Sequence, residues 1–139
     1  MTGRKRMLVI CPFPEGVAAA QRLKFEQYYD DWRAAGWDVV PAPYMDRALW
    51  NILYDRGHYA AKLAGVVKGH LRRIRDLFRV ARYDLVYCHM YVTPFGTSLF
   101  ERLVRALAPR LLFDVEDVKF PGTGTTPQRR YAVHGYLNF

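Results

Sequence analysis

Lys5-Arg6-Met7-Leu8-Val9-Ile10-Cys11, running into Pro12-Phe13-Pro14-Glu15-Gly16, is the stretch that decides the fold. A short apolar run bounded by proline and glycine reads as a buried strand. From Val17 to Ala35 the apolar residues recur at helical spacing. Gly36 then closes that helix as a C-cap, and Trp37-Asp38-Val39-Val40 supplies a second strand. Strand, helix, strand in this order requires a right-handed crossover and a parallel sheet. Ligands of such sheets sit outside the carboxyl ends of the strands, where the N–H groups of a helix start can hold an anion.

Outward from this unit the alternation continues. The pattern predicts strands at 6–12, 37–41, 84–88 and 110–115, with helices at 17–35, 46–56, 58–80 and 94–107. Asp46 is placed to cap the second helical region, and Gly57 to divide it. Within 58–80, Leu63, Val66, Val67, Leu71, Ile74, Leu77, Phe78 and Ala81 share one stripe, which the pattern assigns to the core. Beyond Phe120 the alternation stops. Pro121-Gly122-Thr123-Gly124-Thr125-Thr126 reads as a loop, and Thr126-Pro127 as the start of a new helix. An ending with Tyr131, Tyr136, Leu137 and Phe139 is unlike a polar terminus, and predicts that the natural chain continues. The division expected is therefore one domain over 1–120, with 121–139 a loop and the start of a further, truncated helix.

The chain has 139 residues, 51% hydrophobic and 15% aromatic, which is enough apolar material for a real core and excludes a disordered chain. Its formal net charge of +8 predicts an anionic partner: a phosphate-bearing ligand, an acidic membrane surface or nucleic acid. Cys11 and Cys88 both fall at predicted strand ends and read as buried free thiols of a reducing cytoplasm. Met1 to Arg6 leads into too short an apolar run for a signal peptide. No run approaches the ~18 apolar residues of a membrane span. The reading is a cytoplasmic protein, at most peripheral on the inner face of the cell membrane.

Four features can carry chemistry. The loop from Pro12 to Ala20 offers Gly16 for close backbone approach and the N–H of Val17 as an anion donor; the plainer reading is a strand-to-helix turn. His89 follows the strand Tyr83-Asp84-Leu85-Val86-Tyr87-Cys88, where α/β sites are built, or is a histidine satisfied by backbone at a loop start. Asp114, Glu116 and Asp117 follow Leu111-Leu112-Phe113, with Asp114 and Glu116 on one face and Asp117 on the other. Such carboxylates can accept sugar hydroxyls or act as a base; the alternative is an acidic turn paired with Arg22, Lys24 or Lys119. Nothing nearby completes a metal signature. The fourth feature is a basic helix in which Lys62, Lys68, Arg72, Arg73, Arg75, Arg79 and Arg82 face a single acid, Asp76. Its membrane-facing set is Lys68, Arg72, Arg73, Arg75 and Arg79, against the alternative of a solvated helix face. The aromatic residues do not interleave with these charges, which argues against nucleic acid.

Together these pieces resemble the amino-terminal half of a GT-B glycosyltransferase of the family-4 retaining type, over residues 4–120. The carriers are Lys5-Arg6-Met7-Leu8-Val9-Ile10-Cys11-Pro12-Phe13-Pro14 with Gly16; Tyr83-Asp84-Leu85-Val86-Tyr87-Cys88-His89; Pro94-Phe95-Gly96; and Leu112-Phe113-Asp114-Val115-Glu116-Asp117. The resemblance implies a Rossmann-like three-layer α/β domain, half of a GT-B fold, that holds the acceptor across a cleft from a nucleotide-sugar domain not present in this chain. It implies His89 and Asp114 as the catalytic candidates near that cleft. Gly16, Val17, Arg22, Lys24, Glu116 and Asp117 are the ligand-binding candidates, with Arg22 and Lys24 the positive charges for a departing diphosphate. Basic helices of such domains often fasten the enzyme to membranes that carry lipid acceptors. No cofactor is expected beyond the nucleotide-diphosphate sugar as substrate, and no metal. The function expected is sugar transfer to a hydroxyl acceptor, lipid-linked or polysaccharide, in a bacterial-type enzyme, this chain being inactive alone. The competing expectation is a stand-alone basic module that binds anionic lipid or polymer.

Overall fold

Both faces of the first strand are apolar, and that makes it the middle of a sheet covered on two sides. The computed structural model describes residues 3–94 and 98–114. Its sheet has four parallel strands: β1 (Lys5–Cys11), β2 (Trp37–Pro43), β3 (Leu85–His89) and β4 (Leu111–Asp114), in the order β2-β1-β3-β4. Leu8 and Ile10 of β1 point to one layer, with Ala42, Val80, Tyr83, Val86, Cys88 and Val104. Met7, Val9 and Cys11 point to the other, with Phe25, Tyr29, Val39 and Tyr87. Pro41 and Pro43 are tolerated because β2 is an edge strand, where a missing N–H breaks no ladder.

The connection from β1 to β2 carries α1 (Ala19–Lys24), a 3₁₀ turn (Glu26–Tyr28) and α2 (Tyr29–Ala34). The single helix expected over 17–35 is thus three short pieces, starting two residues later and broken at Phe25, whose ring is fully buried under the sheet. Gly36, with φ +95°, ends α2 through a bond from its N–H to the Arg33 carbonyl, as its sequence position predicts. α3 (Arg47–Ile52) and α4 (Tyr59–Val80) connect β2 to β3, and α5 (Leu99–Leu107) connects β3 to β4. Asp46 caps α3 by accepting the Leu49 N–H at 2.8 Å. Helices on both faces of a parallel sheet make this a Rossmann-like α/β domain. Among the described residues no helix is long and apolar enough to cross a membrane.

The packing of α4 reverses most of the sequence expectation. The face turned inward is Gly65, Gly69, Arg73, Asp76 and Val80. Of the predicted stripe only Val66 and Leu77 are half-buried, Leu77 against the core, and the rest lies outside: Leu63 is 66% exposed, Val67 50%, Leu71 60%, Ile74 43% and Phe78 79%. Two contacts explain the choice. A Cβ on Gly69 would come 2.5 Å from the Tyr44 ring, and one on Gly65 would come 2.8 Å from Leu49, so only glycine lets the helix close on α3 and the end of β2. Arg73 and Asp76 enter as an ion pair, 3.2 Å between Arg73 Nη1 and Asp76 Oδ2, while Asp76 Oδ1 is buried without a hydrogen-bond partner among the described residues. The loop and helix expected over 121–139 lie outside the described residues, as do Glu116 and Asp117.

Candidate functional site at the carboxyl rim

In the order β2-β1-β3-β4 the chain leaves β1 toward one edge and β3 toward the other, so the topological switch point lies between the carboxyl ends of β1 and β3. β3 ends on His89 and β4 on Asp114, and the register sets these two residues side by side. Strand alternation puts Tyr87 on the same face as His89, the face that packs on α1 and α2. His89 Nδ1 lies 3.4 Å from Asp114 Oδ2. The Tyr87 hydroxyl donates to that same oxygen at 2.5 Å, and Lys24 Nζ sits 3.0 Å from Oδ1. Phe25 closes the inner wall, its ring edge-on to the imidazole with centroids 5.0 Å apart. His89 is 1% exposed, while the Asp114 side chain keeps 22% of its surface open.

Burial pushes the Asp114 carboxyl up, but the Tyr87 hydroxyl, the Lys24 ammonium and His89 together outweigh it and hold the group below the usual carboxylate range. It is therefore an anion at neutral pH. The Tyr87 hydroxyl moves the other way, raised first by burial and then by its bond to Asp114, and stays a donor. Immediately after His89, Met90 adopts a left-handed backbone with φ +64°, a conformation unfavourable for a side chain of its kind. Its N–H donates to the Asp114 carbonyl at 2.8 Å, and the Tyr91 N–H to the His89 carbonyl at 2.8 Å, so the turn that ends β3 is bonded to the end of β4.

The loop after β1 is organised differently from the anion cradle that the sequence suggests. Gly16 does adopt a positive φ, +83°, which favours glycine. Its N–H, however, is taken up by Glu26 Oε2 at 3.0 Å. The buried Gln21 amide grips the loop further: Oε1 accepts the Phe13 N–H, and Nε2 donates to the Phe13 carbonyl, both at 3.0 Å, and to Glu26 Oε1 at 2.8 Å. Val17 is half-buried ahead of a helix that begins only at Ala19 and runs six residues, so it is not the helix-start donor expected. The reason is the break at Phe25, which swings Glu26 back under the loop. A carboxylate now stands where a phosphate was to bind.

The remaining candidates divide. Lys24 meets Asp114, the pairing that the plainer sequence reading allowed, while Arg22 lies exposed on α1. Arg73, placed by sequence on a membrane-facing surface, is instead 1% exposed in the interior. Its guanidinium donates to three carbonyls at the strand ends and the loop after β3: Cys11 at 2.7 Å, Ala42 at 2.7 Å and Val92 at 2.6 Å. Asp76 holds it at 3.2 Å. One buried cation thus clasps the rim of β1, of β2 and of the loop after β3, since a planar fork of donors can serve several carbonyls at once. Arg72 is half-buried, donating to the Tyr44 carbonyl at 3.1 Å and pairing with Asp46 at 3.0 Å. Arg79 is half-buried on the Tyr83 hydroxyl at 2.7 Å; Lys68 and Arg75 remain exposed.

Of the sequence candidates, His89 and Asp114 are adjacent, whereas the Gly16 N–H is taken up by Glu26, next in sequence to the Phe25 that packs on His89. Sequence reading missed Tyr87, Gln21, Glu26 and the inward role of Arg73. Tyr87 was within reach, because it stands two residues before His89 on the same strand face. Among the described residues no group of three or more His, Cys, Asp or Glu side chains is placed to hold a metal ion. Comparison of the chain with family models, curated proteins and solved structures returns no match.

Proposed function

We propose that this chain is the acceptor-side half of a glycosyltransferase that moves a sugar from a nucleotide-diphosphate sugar to a hydroxyl acceptor. The observation that carries the reading is the pairing of His89 with Asp114 on neighbouring strands at the carboxyl rim, beside the switch point. In sugar transfer the acceptor oxygen bonds to the anomeric carbon, the bond from that carbon to the diphosphate oxygen breaks, and the acceptor proton must go to a base. His89, with Nδ1 3.4 Å from the Asp114 carboxylate, is the group this reading assigns as that base. Asp114, anionic and partly open, can also accept the hydroxyls that orient a sugar. Arg22 on the open side of α1 and Arg47, whose guanidinium reaches the Glu15 carbonyl at 3.1 Å beside Gly16, are the positive groups left to face a diphosphate.

The test is an amide-resolved NMR titration of the chain with UDP-glucose, GDP-mannose and an alkyl glucoside as acceptor probe. The reading requires shifts concentrated at His89, Met90, Asp114 and Lys24 with at least one probe. It also requires a tenfold or greater weakening in His89→Gln and Asp114→Asn. If no probe moves the rim, or the shifts ignore both substitutions, the sugar-transfer reading falls.

A further inference from the structure

We infer that the outer seam of α4 and α5 docks an acidic amphipathic helix of a partner protein. The inference is independent of sugar transfer and uses none of the rim residues. It begins with the side of α4 that the fold leaves outside. Leu63, Val67, Leu71, Ile74 and Phe78 are exposed and stand three or four residues apart, so they form one strip along the helix axis. At ~1.5 Å per residue the strip is about 22 Å long, the length of about four helical turns.

The neighbouring helix supplies the other side of the seam. Leu99, Leu103 and Leu107, also exposed, are spaced by four on α5. α4 and α5 meet where the His70 and Phe100 rings pack edge to face, 6.1 Å between centroids. Around α4 the strip lies next to His70, and around α5 Leu103 and Leu107 lie next to Phe100. The two apolar rows therefore border the line where the helices touch. Two such rows are the receptor half of helix recognition, in which a third helix lays its apolar face between them.

The spacing favours a helix as the occupant over a flat surface. Val67 and Ile74 are seven residues apart, as are Leu71 and Phe78. A seven-residue repeat keeps side chains in line with those of a second helix, β-branched residues in one row and Leu or Phe in the next. A bilayer sets no such register. The charge keeps the same period: Lys68 and Arg75 on α4, and Arg82 just past its end, are exposed and seven apart, on the side of the strip away from α5. The acids of the two helices are turned the other way. Asp76, the single acid of α4, has a side chain 2% exposed, and Glu101, the single acid of α5, is half-buried and accepts the Val92 N–H at 3.1 Å. The seam thus offers apolar contact and positive charge, and its complement is a helix with a heptad-spaced apolar face and Glu or Asp along its flank. A second copy of this chain lacks that flank, because a twofold contact would set the two basic rows against each other.

The experiment measures fluorescence anisotropy of labelled three-heptad peptides titrated with the 139-residue chain. One peptide has Leu and Ile on its heptad face and Glu on the flanks, one replaces each Glu by Lys, and one carries the Glu composition in scrambled order. The Glu peptide is expected to bind at least tenfold more tightly than either of the others, and less tightly as salt rises. Leu71→Glu/Phe78→Glu and Lys68→Glu/Arg75→Glu alter exposed side chains and leave the core alone, so their circular dichroism should match the parent. The first should lose at least tenfold in affinity for the Glu peptide, and the second should prefer the Lys peptide, a reversal that loss of packing alone would not produce. The proposal is overturned if the Glu peptide does not bind, if its scrambled form binds as well, or if the charge reversal leaves the preference unchanged. It is overturned equally if phosphatidylglycerol vesicles displace the peptide, which would give the face to a bilayer, or if sedimentation shows a stable dimer that Leu71→Glu/Phe78→Glu dissociates.

Discussion

Replacing Arg73 by Met keeps the length and much of the apolar stem of the side chain while deleting the charged fork. The fork makes bonds of 2.6–2.7 Å to the carbonyls of Cys11, Ala42 and Val92, and sits 3.2 Å from Asp76. A bond from a charged donor contributes about 1.5–3 kcal/mol net, but three such bonds are not additive, and the Cys11 carbonyl also accepts the Tyr44 N–H at 2.8 Å. Asp76 keeps longer-range partners in Arg75 at 3.5 Å and Arg79 at 3.8 Å, which softens the loss. Breaking a buried pair by removing one member costs about 3–5 kcal/mol, and that range is the expectation here. Set against a total stability of roughly 5–15 kcal/mol it is a large share. The melting temperature should drop by roughly 10–20 °C. Urea unfolding followed by far-ultraviolet circular dichroism and by the emission of Trp32, Trp37 and Trp50 measures it. Arg73→Lys should fall between parent and Met, since one ammonium cannot reach all three carbonyls. Arg73→Met/Asp76→Leu should recover part of the loss, because no buried acid is then left without its main partner. A loss under about 1 kcal/mol in Arg73→Met would refute the argument, since a clasp on two strand ends and the loop after β3 cannot be removed at the cost of a surface charge.

Gly69→Ala should destabilise by about 1–3 kcal/mol in chemical denaturation, the new methyl meeting the Tyr44 ring outweighing the better helix propensity of alanine; a gain in stability would mean that the ring moves aside freely. Asp46→Ala should cost about 1 kcal/mol at neutral pH through the lost cap on Leu49. Asp46 is held below the usual carboxylate range, first by the Leu49 N–H and then, against burial, by Arg72. Its contribution is therefore complete above an unfolded value of about 3.9 and lost as pH falls through the lower folded value, so parent and variant should converge in acid urea titrations. The two cysteines are free and buried, and burial pushes the Cys11 thiol up to about 12 and Cys88 higher still. Neither should react with a disulfide reagent in the native chain at mildly alkaline pH, whereas both should react in denaturant; prompt labelling of either would contradict the packing described.

Features governed by neighbours along the chain were legible before any coordinates. β1 announced itself by composition, Gly36 by the left-handed turn after a helix, Asp46 by its place before an apolar run, and His89 and Asp114 by standing where strands stop. Each depends on local backbone geometry, which a few adjacent residues settle. The parallel order of the sheet follows from the same local alternation, because crossover handedness leaves few other arrangements. Which side of α4 faces the protein was a different kind of question. A helical stripe says that two faces differ, and gives no sign of which neighbour will press on either one. The shape of Tyr44 and Leu49 admitted only Gly65 and Gly69, and carbonyls from two strand ends and the loop after β3 made a polar socket for Arg73, so the glycine-and-arginine side went in and most of the leucine side stayed out. Glu26 closing on Gly16, and Tyr87 with Lys24 settling on Asp114, arose likewise from contacts between residues far apart in the chain, and such contacts exist only once the chain has folded.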